Sequence, residues 1–406
     1  MKRALVVSVL LVLVCAVAAQ AAFTVGANAP VAASRPGAVV VDGKAYLVGG
    51  EYSGKALSNQ IHIYDFAAAT WSTSAATMPV GLSNICVATD REKIFVVGGY
   101  NGSPVNTLYI YDIAGDSWSS GATLTSARNG VGCAVHDGYL YAFGGTPDGS
   151  NGLTDTLIYD IDGDSWSAGT AMPAGMYYGG AAYRDGEIWV AGGFTTFGTE
   201  LATVNIYNID GDSWSAGTPL NTGRAGLGLV SDGGTFYALG GGWYGYLTTV
   251  EYYDDTKGSW EALADQLNTG RRTFGNGYGS GYLVAIDGYN SSYMNSFEYL
   301  ALIPGVTSID PATGANDADI AVTIEGENFV IDETQVKLVG PAKAEIAATD
   351  VVVANPAELT CNFDLTGAAA GNYDVVVTTP TDEAILAAAF EVTEAADDDT
   401  IDDDTV

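Results

Sequence analysis

Positive charge is what this chain most lacks. Fifteen lysines and arginines face 48 aspartates and glutamates, a formal net charge of −33. That balance speaks against nucleic acid or an anionic membrane surface as partner, because either needs a basic footprint. Histidine is rarer still. His62 and His136 are the only two, and no histidine-cysteine metal cluster, Ser-His-Asp arrangement or phosphate-binding glycine loop accompanies them. Long apolar runs are missing outside the first twenty residues. There, Lys2 and Arg3 precede an apolar stretch from Ala4 to Ala19, and Ala19-Gln20-Ala21 supplies a small-x-small cleavage pattern. Residues 1–21 therefore read as a secretory signal peptide, with an apolar run too short for a membrane span. An exported protein is expected, secreted, periplasmic or at the cell surface, with no membrane insertion after cleavage.

Cysteine is scarce as well. Removing the signal, which contains Cys15, leaves Cys86, Cys133 and Cys361, an odd number for an oxidising compartment. Cys86 and Cys133 each stand four residues before an aspartate of a turn, Asp90 and Asp137. Read as equivalent residues of neighbouring repeats, they are expected to lie too far apart to bridge, so free thiols are predicted.

Glycine and tyrosine are abundant, at 52 and 24, and they recur in phase. A double glycine closes an apolar run, a Tyr-Asp or Tyr-Asn follows, and a tryptophan comes seven residues after the tyrosine. Gly144-Gly145, Tyr159-Asp160 and Trp166 are one of five such units, whose tryptophans, from Trp71 to Trp260, are spaced 47, 48, 48 and 46 residues apart. A period near that length, built from short alternating runs with Asp-Gly turns, signals a four-stranded propeller blade. A sixth unit supplies three strands, with Asp287 in place of its first glycine and no tryptophan. The missing strand is expected at Phe23–Pro30, which parallels Trp166–Pro173, so that the N-terminal strand closes a ring of six blades.

These motifs resemble the Kelch repeat over residues 22–301. The resemblance implies an all-β, six-bladed Kelch propeller and says little of function, since Kelch propellers include protein binders, glycan binders and a few enzymes. Past Leu300, the Pro-x-Val-x-Ser-Ile-x-Pro opening, Gly326-Glu-Asn-Phe329 and Gly371-Asn-Tyr-Asp-Val-Val-Val377 resemble the IPT/TIG immunoglobulin-like domain, which implies a β-sandwich over residues 302–393. The acidic tail, 394–406, is expected to be disordered.

Strand order puts the loops before each first strand, and those between second and third strands, on one face, called the top. Arg128 and Arg224 each stand 16 residues before the first glycine of a double glycine, Arg271 stands 16 before Asp287, and Arg35 is displaced by two. The neighbouring loops carry Tyr52, Tyr100, Phe194, Phe197, Trp243, Tyr244, Tyr246, Tyr289 and Tyr293. The predicted ligand site is Arg35, Arg128, Arg224 and Arg271 with Tyr100, Phe194, Trp243, Tyr244, Tyr246 and Tyr289. Arginine with aromatic platforms suits a carboxylated sugar or an acidic peptide. Substituting Arg128, Arg224 and Arg271 together is expected to abolish binding with little change in stability.

The leading expectation is a monomeric, non-catalytic, exported binding protein of a bacterial envelope, with a glycan or protein ligand and no cofactor or metal. The Asp-x-Asp-Gly-Asp string at Asp160–Asp164 and its relative at Asn208–Asp212 lack the twelfth-position glutamate of a calcium loop and read as tight turns. Two enzyme families share the propeller. Galactose oxidases, which also carry an immunoglobulin-like domain, use two histidines and a tyrosine joined to a cysteine. His62 and His136 occupy non-equivalent places and are expected to be ordinary surface side chains. Sialate mutarotases would need a carboxylate beside an arginine at the channel mouth, for which Glu200 and Glu251 are the candidates. A structural adhesin is the third alternative.

Overall fold

The computed structural model describes residues 22–395; the expected signal peptide, 1–21, and the aspartate-rich run of the tail lie outside them. Six four-stranded antiparallel sheets follow one another along the chain as far as Ala301. Their innermost strands are Gly37–Val41, Cys86–Thr89, Gly132–His136, Gly180–Arg184, Gly228–Ser231 and Gly275–Gly279. Each packs on the next, and the last returns to the first, so the blades form a closed ring around a channel. Closure takes the form the repeat implies. Thr24–Val25 pairs with Phe297–Ala301 as the outer strand of the sixth blade, and Phe23 is buried where the other blades carry tryptophan.

Two repeated devices hold neighbouring blades together. The tryptophan of one blade donates its indole N–H to a carbonyl of the preceding blade, Trp166 to Ala122 at 2.7 Å and Trp214 to Thr170 at 2.8 Å. An aspartate two residues earlier grips the same residue by its N–H. Asp164 accepts from Ala122 and from the Tyr159 hydroxyl, and Asp212 accepts from Thr170 and from Tyr207. These bonds lower the pKa of both carboxyls. The Asp-Gly strings thus serve as turns and clamps, since Asp160 and Asn208 also cap the amides of Gly163 and Gly211.

The second device is a column of glycines. The first residue of an inner strand faces the second residue of the next blade's inner strand. A Cβ built on Gly37, Gly180, Gly228 or Gly275 would lie 2.4–2.9 Å from the Cβ of Val87, Leu229, Asn276 or Ala38 respectively. Only the second blade breaks the column, with Cys86. The residue it faces is Cys133, and the two form a disulfide with Cα atoms 6.0 Å apart. This corrects the expectation of free thiols. Gly132, not Cys133, is the equivalent of Cys86, and a one-place offset between crowded inner strands brings the sulfurs within bonding range. Cys361 is free and buried, and burial pushes its thiol up to about 12.

His62 also differs from expectation. It is buried rather than at the surface, with Nδ1 2.9 Å from Thr73 Oγ1 and Nε2 unpartnered, and burial lowers its pKa. His136 stacks on Tyr183 at 3.8 Å in the inner strands of blades 3 and 4.

Beyond Leu302 the chain forms two more sheets. One holds Gly305–Asp310, Asp319–Glu327, Glu358–Asp364 and Thr349–Asn355; the other holds Thr313–Ala315, Glu383–Thr393, Gly371–Thr378, Gln335–Val339 and Glu345–Ala347. Ile324, Leu338, Phe363, Val375 and Phe390 belong to one buried core between them. This unit sits under the bottom of the propeller. Arg91, in a bottom turn, donates to the Ile331 carbonyl and pairs with Asp42 and Glu333 at 3.2 and 3.0 Å. The segment Phe329–Glu333 covers the lower opening, leaving a cavity of about 240 Å³ above it. The top face is left open.

Candidate ligand site at the channel mouth

A chain of backbone bonds encircles the upper end of the channel. The residue two places before each inner strand adopts a left-handed conformation: Arg35, Asn84, Gly130, Tyr178, Gly226 and Thr273, with φ between 46° and 66°. Each donates its N–H to the carbonyl of the corresponding residue in the preceding blade. Asn84 donates to Arg35, Gly130 to Asn84, Tyr178 to Gly130, Gly226 to Tyr178 and Thr273 to Gly226, and Arg35 closes the circle onto Thr273, all at 2.7–3.0 Å. These six residues line the top of a channel cavity of about 270 Å³, whose walls are the inner strands and the disulfide.

The displacement of Arg35 by two is what brings it to this ring. Its guanidinium pairs with Glu51 at 3.1 Å, and Glu51 also accepts the Tyr293 hydroxyl at 2.6 Å. Tyr178 donates to Asn84 Oδ1 at 3.0 Å. Burial pushes its phenol pKa up, and Arg35 opposes that shift.

Arg128, Arg224 and Arg271 do not face the mouth, which corrects their assignment. All three side chains are fully buried inside their blades. Each donates to the carbonyl 16 residues on, those of Gly144, Gly240 and Asp287, at 2.9–3.0 Å. Each also pairs with an acid 27 residues on: Asp155, Glu251 and Glu298. The 16-residue spacing records a carbonyl that needs a donor. Burial lowers the pKa of Arg224 and Arg271, with Glu251 and Glu298 opposing it. Glu251 is therefore committed to the scaffold.

The second cation of the mouth is Arg272, which the 16-residue spacing does not single out because it directly follows Arg271. Its guanidinium carbon lies 4.0 Å from the ring centroid of Trp243, 5.1 Å from Tyr289 and 5.6 Å from Tyr246. It donates to the Trp243 carbonyl at 2.9 Å. Unlike Arg35 and the three buried arginines, it makes no ion pair among the described residues. Burial lowers its pKa, and nearby Arg35 adds to the effect; a guanidinium in such a place stays charged.

The predicted aromatics divide by depth. Trp243, Tyr246 and Tyr289 are half-buried around Arg272. Phe194 is wholly buried beneath Trp243, at 5.5 Å between rings. Tyr244 is 65% exposed and Phe197 50% exposed on the rim. Tyr100 is half-buried and exchanges backbone bonds with Ser83. Glu200 does not pair with an arginine; it accepts the backbone N–H groups of Trp243 and Ala225 and so fixes the Trp243 loop. Asn84, Tyr178, Glu51 and Arg272 were missed, although the ring positions recur at 49, 46, 48, 48 and 47 residues.

Residues 86–288 match the family described as the KLHDC2/KLHL20/DRC7 Kelch-repeats domain, and residues 32–76 match the Kelch motif. The chain belongs to the Kelch-repeat family. No curated protein matches it. Among solved structures, one titled "Structure of YjhT" is similar with a TM-score of 0.58 at 17% identity, over 70% of this chain and 98% of that one. At that identity the likeness concerns the fold of the Kelch propeller alone.

Proposed function

We propose that this Kelch protein is an exported binding protein whose propeller mouth takes a sugar bearing a single carboxylate. Arg272 carries the reading. A half-buried guanidinium without a counter-ion, held between aromatic rings beside a cavity of about 270 Å³, is prepared for an anion. Arg35 adds a second positive group, and Asn84 and Tyr178 offer hydrogen bonds to hydroxyls. Two features favour a small ligand over an acidic peptide. The six residues of the mouth ring have spent their backbone N–H and C=O groups on one another, so the rim offers no free backbone pair to an added peptide strand. A net charge of −33 also repels an acidic macromolecule while costing a monoanion little.

Export is supported by the signal-like N-terminus and by the Cys86–Cys133 bridge, which suits an oxidising compartment. The second unit carries the IPT/TIG-like motifs on two sheets around one core, and its seat on the propeller's lower side fits a spacer that leaves the mouth free.

Calorimetric titration with glucuronic acid and N-acetylneuraminic acid tests the reading. Arg272→Ala should weaken binding at least tenfold and shift stability by less than about 1 kcal/mol. Arg271→Ala should instead destabilise the fold by about 3–5 kcal/mol, since it leaves Glu298 buried and unpaired. Unchanged affinity in Arg272→Ala, or binding of acidic peptides but of no sugar, would sink the proposal.

The Glu51–Arg35 pair favours a second reading, a mutarotase, because a carboxylate beside an arginine at the mouth can serve ring opening by acid-base catalysis. Exchange between sugar anomers, followed by NMR, should then rise with the wild-type protein and fail with Glu51→Gln. Equal exchange with both would remove this alternative.

A further inference from the structure

Two large aromatic side chains on the top rim, Phe197 and Tyr244, stand in solvent; Phe197 adjoins a buried aromatic cluster, and Tyr244 directly follows Trp243 of that cluster. Neither is on a loose segment. The Phe197 N–H donates to the Ser150 carbonyl at 3.1 Å, tying the loops of blades 3 and 4 together. The Tyr244 loop is held by the bond from the Trp243 amide to Glu200, at 2.6 Å. Beneath Phe197 the rings continue without a break. Phe197 lies 5.4 Å from Phe194 and 6.0 Å from Trp243, edge to face with the latter. Trp243 in turn bears Arg272 on its ring. Aromatic surface exposed on a fixed backbone loses little freedom on binding, and at Phe197 it is continuous, through Trp243, with the cation of the mouth.

We propose that Phe197 and Tyr244 form a second subsite, for the sugar ring linked to the carboxylated residue held at Arg272. The ligand is then an oligosaccharide with its acidic sugar at one end, not a free monosaccharide. This rests on the reading of the mouth as a carboxylated-sugar site. A pyranose offers a face of C–H groups that packs on aromatic rings while its hydroxyls stay in water, which suits side chains 50% and 65% exposed. An uncharged second sugar also escapes the repulsion that a net charge of −33 imposes on an acidic polymer.

The experiment compares N-acetylneuraminic acid with 3′-sialyllactose, and glucuronic acid with a trisaccharide carrying glucuronic acid only at its non-reducing end. Each is titrated into the full protein and into the Phe197→Ala/Tyr244→Ala variant. At least one trisaccharide should bind about tenfold tighter than its monosaccharide, the scale of one aromatic contact. The variant should lose that gain while keeping the monosaccharide affinity and the melting temperature. Monosaccharide binding with no gain for the trisaccharide overturns the subsite alone, as does a gain that survives in the variant. Binding of neither sugar overturns the mouth reading and the subsite with it.

Discussion

At Asp287 the sixth blade departs from its five neighbours, and the departure leaves a carboxyl buried without a hydrogen-bond partner, in a left-handed conformation with φ of 60°. Burial holds its pKa well above the ordinary 3.8, with Arg271 pulling the other way. A carboxyl raised on folding contributes stability that is fully present below its unfolded pKa and lost as the pH rises through the folded value. Asp287→Asn keeps the shape and removes the ionisation. It should match the wild type near pH 4 and exceed it at pH 7, as read by chemical denaturation at both values. The reverse order at pH 7 would mean that the negative charge is needed beside Arg271. The arginines carry the other lesson at this scale. Their spacing from the glycines was legible, but the same spacing suits a side chain reaching the mouth or one turned back onto the blade. The acids at a 27-residue interval, Asp155, Glu251 and Glu298, were the signal that decides between the two.

Among the elements, the outer strand explains why tryptophan repeats at all. Trp166 and Asp164 hold one residue of the preceding blade, Ala122, by its carbonyl and its N–H, so each repeat is stabilised in part by its neighbour. Trp118 shares the position, but its Nε1 has no partner. Trp166→Phe should therefore cost about 1 kcal/mol more than Trp118→Phe in denaturation midpoints converted to free energy. Equal losses would assign the tryptophans to packing alone. Blade number and N-terminal closure were readable because they rest on local alternation and on a period. The mouth was not, because its residues belong together only in register across blades, and Arg35, Asn84, Tyr178 and Thr273 share no residue type.

For the whole molecule, the ring must hold its circumference without an open seam. The Cys86–Cys133 bridge closes a loop of 47 residues, for which chain entropy alone gives about 4 kcal/mol. Cys86→Gly with Cys133→Ala restores the glycine column and should lose about 2–4 kcal/mol in urea denaturation. A reducing agent should destabilise the wild type and leave the variant unmoved; no difference between the two would show that the bridge adds nothing to the ring. This bridge was within reach of the sequence, since a cysteine interrupts a column of glycines and its counterpart lies one place along in the next repeat. Treating the two as equivalent hid the offset. The circle of six backbone hydrogen bonds at the mouth has a further electrical consequence. In a helix the peptide dipoles add along an axis and make its N-terminus attractive to anions. Around a closed circle the in-plane components of such dipoles cancel, so the ring favours no one side of the mouth, and the fixed charges there are those of Arg35 with its partner Glu51 and of Arg272.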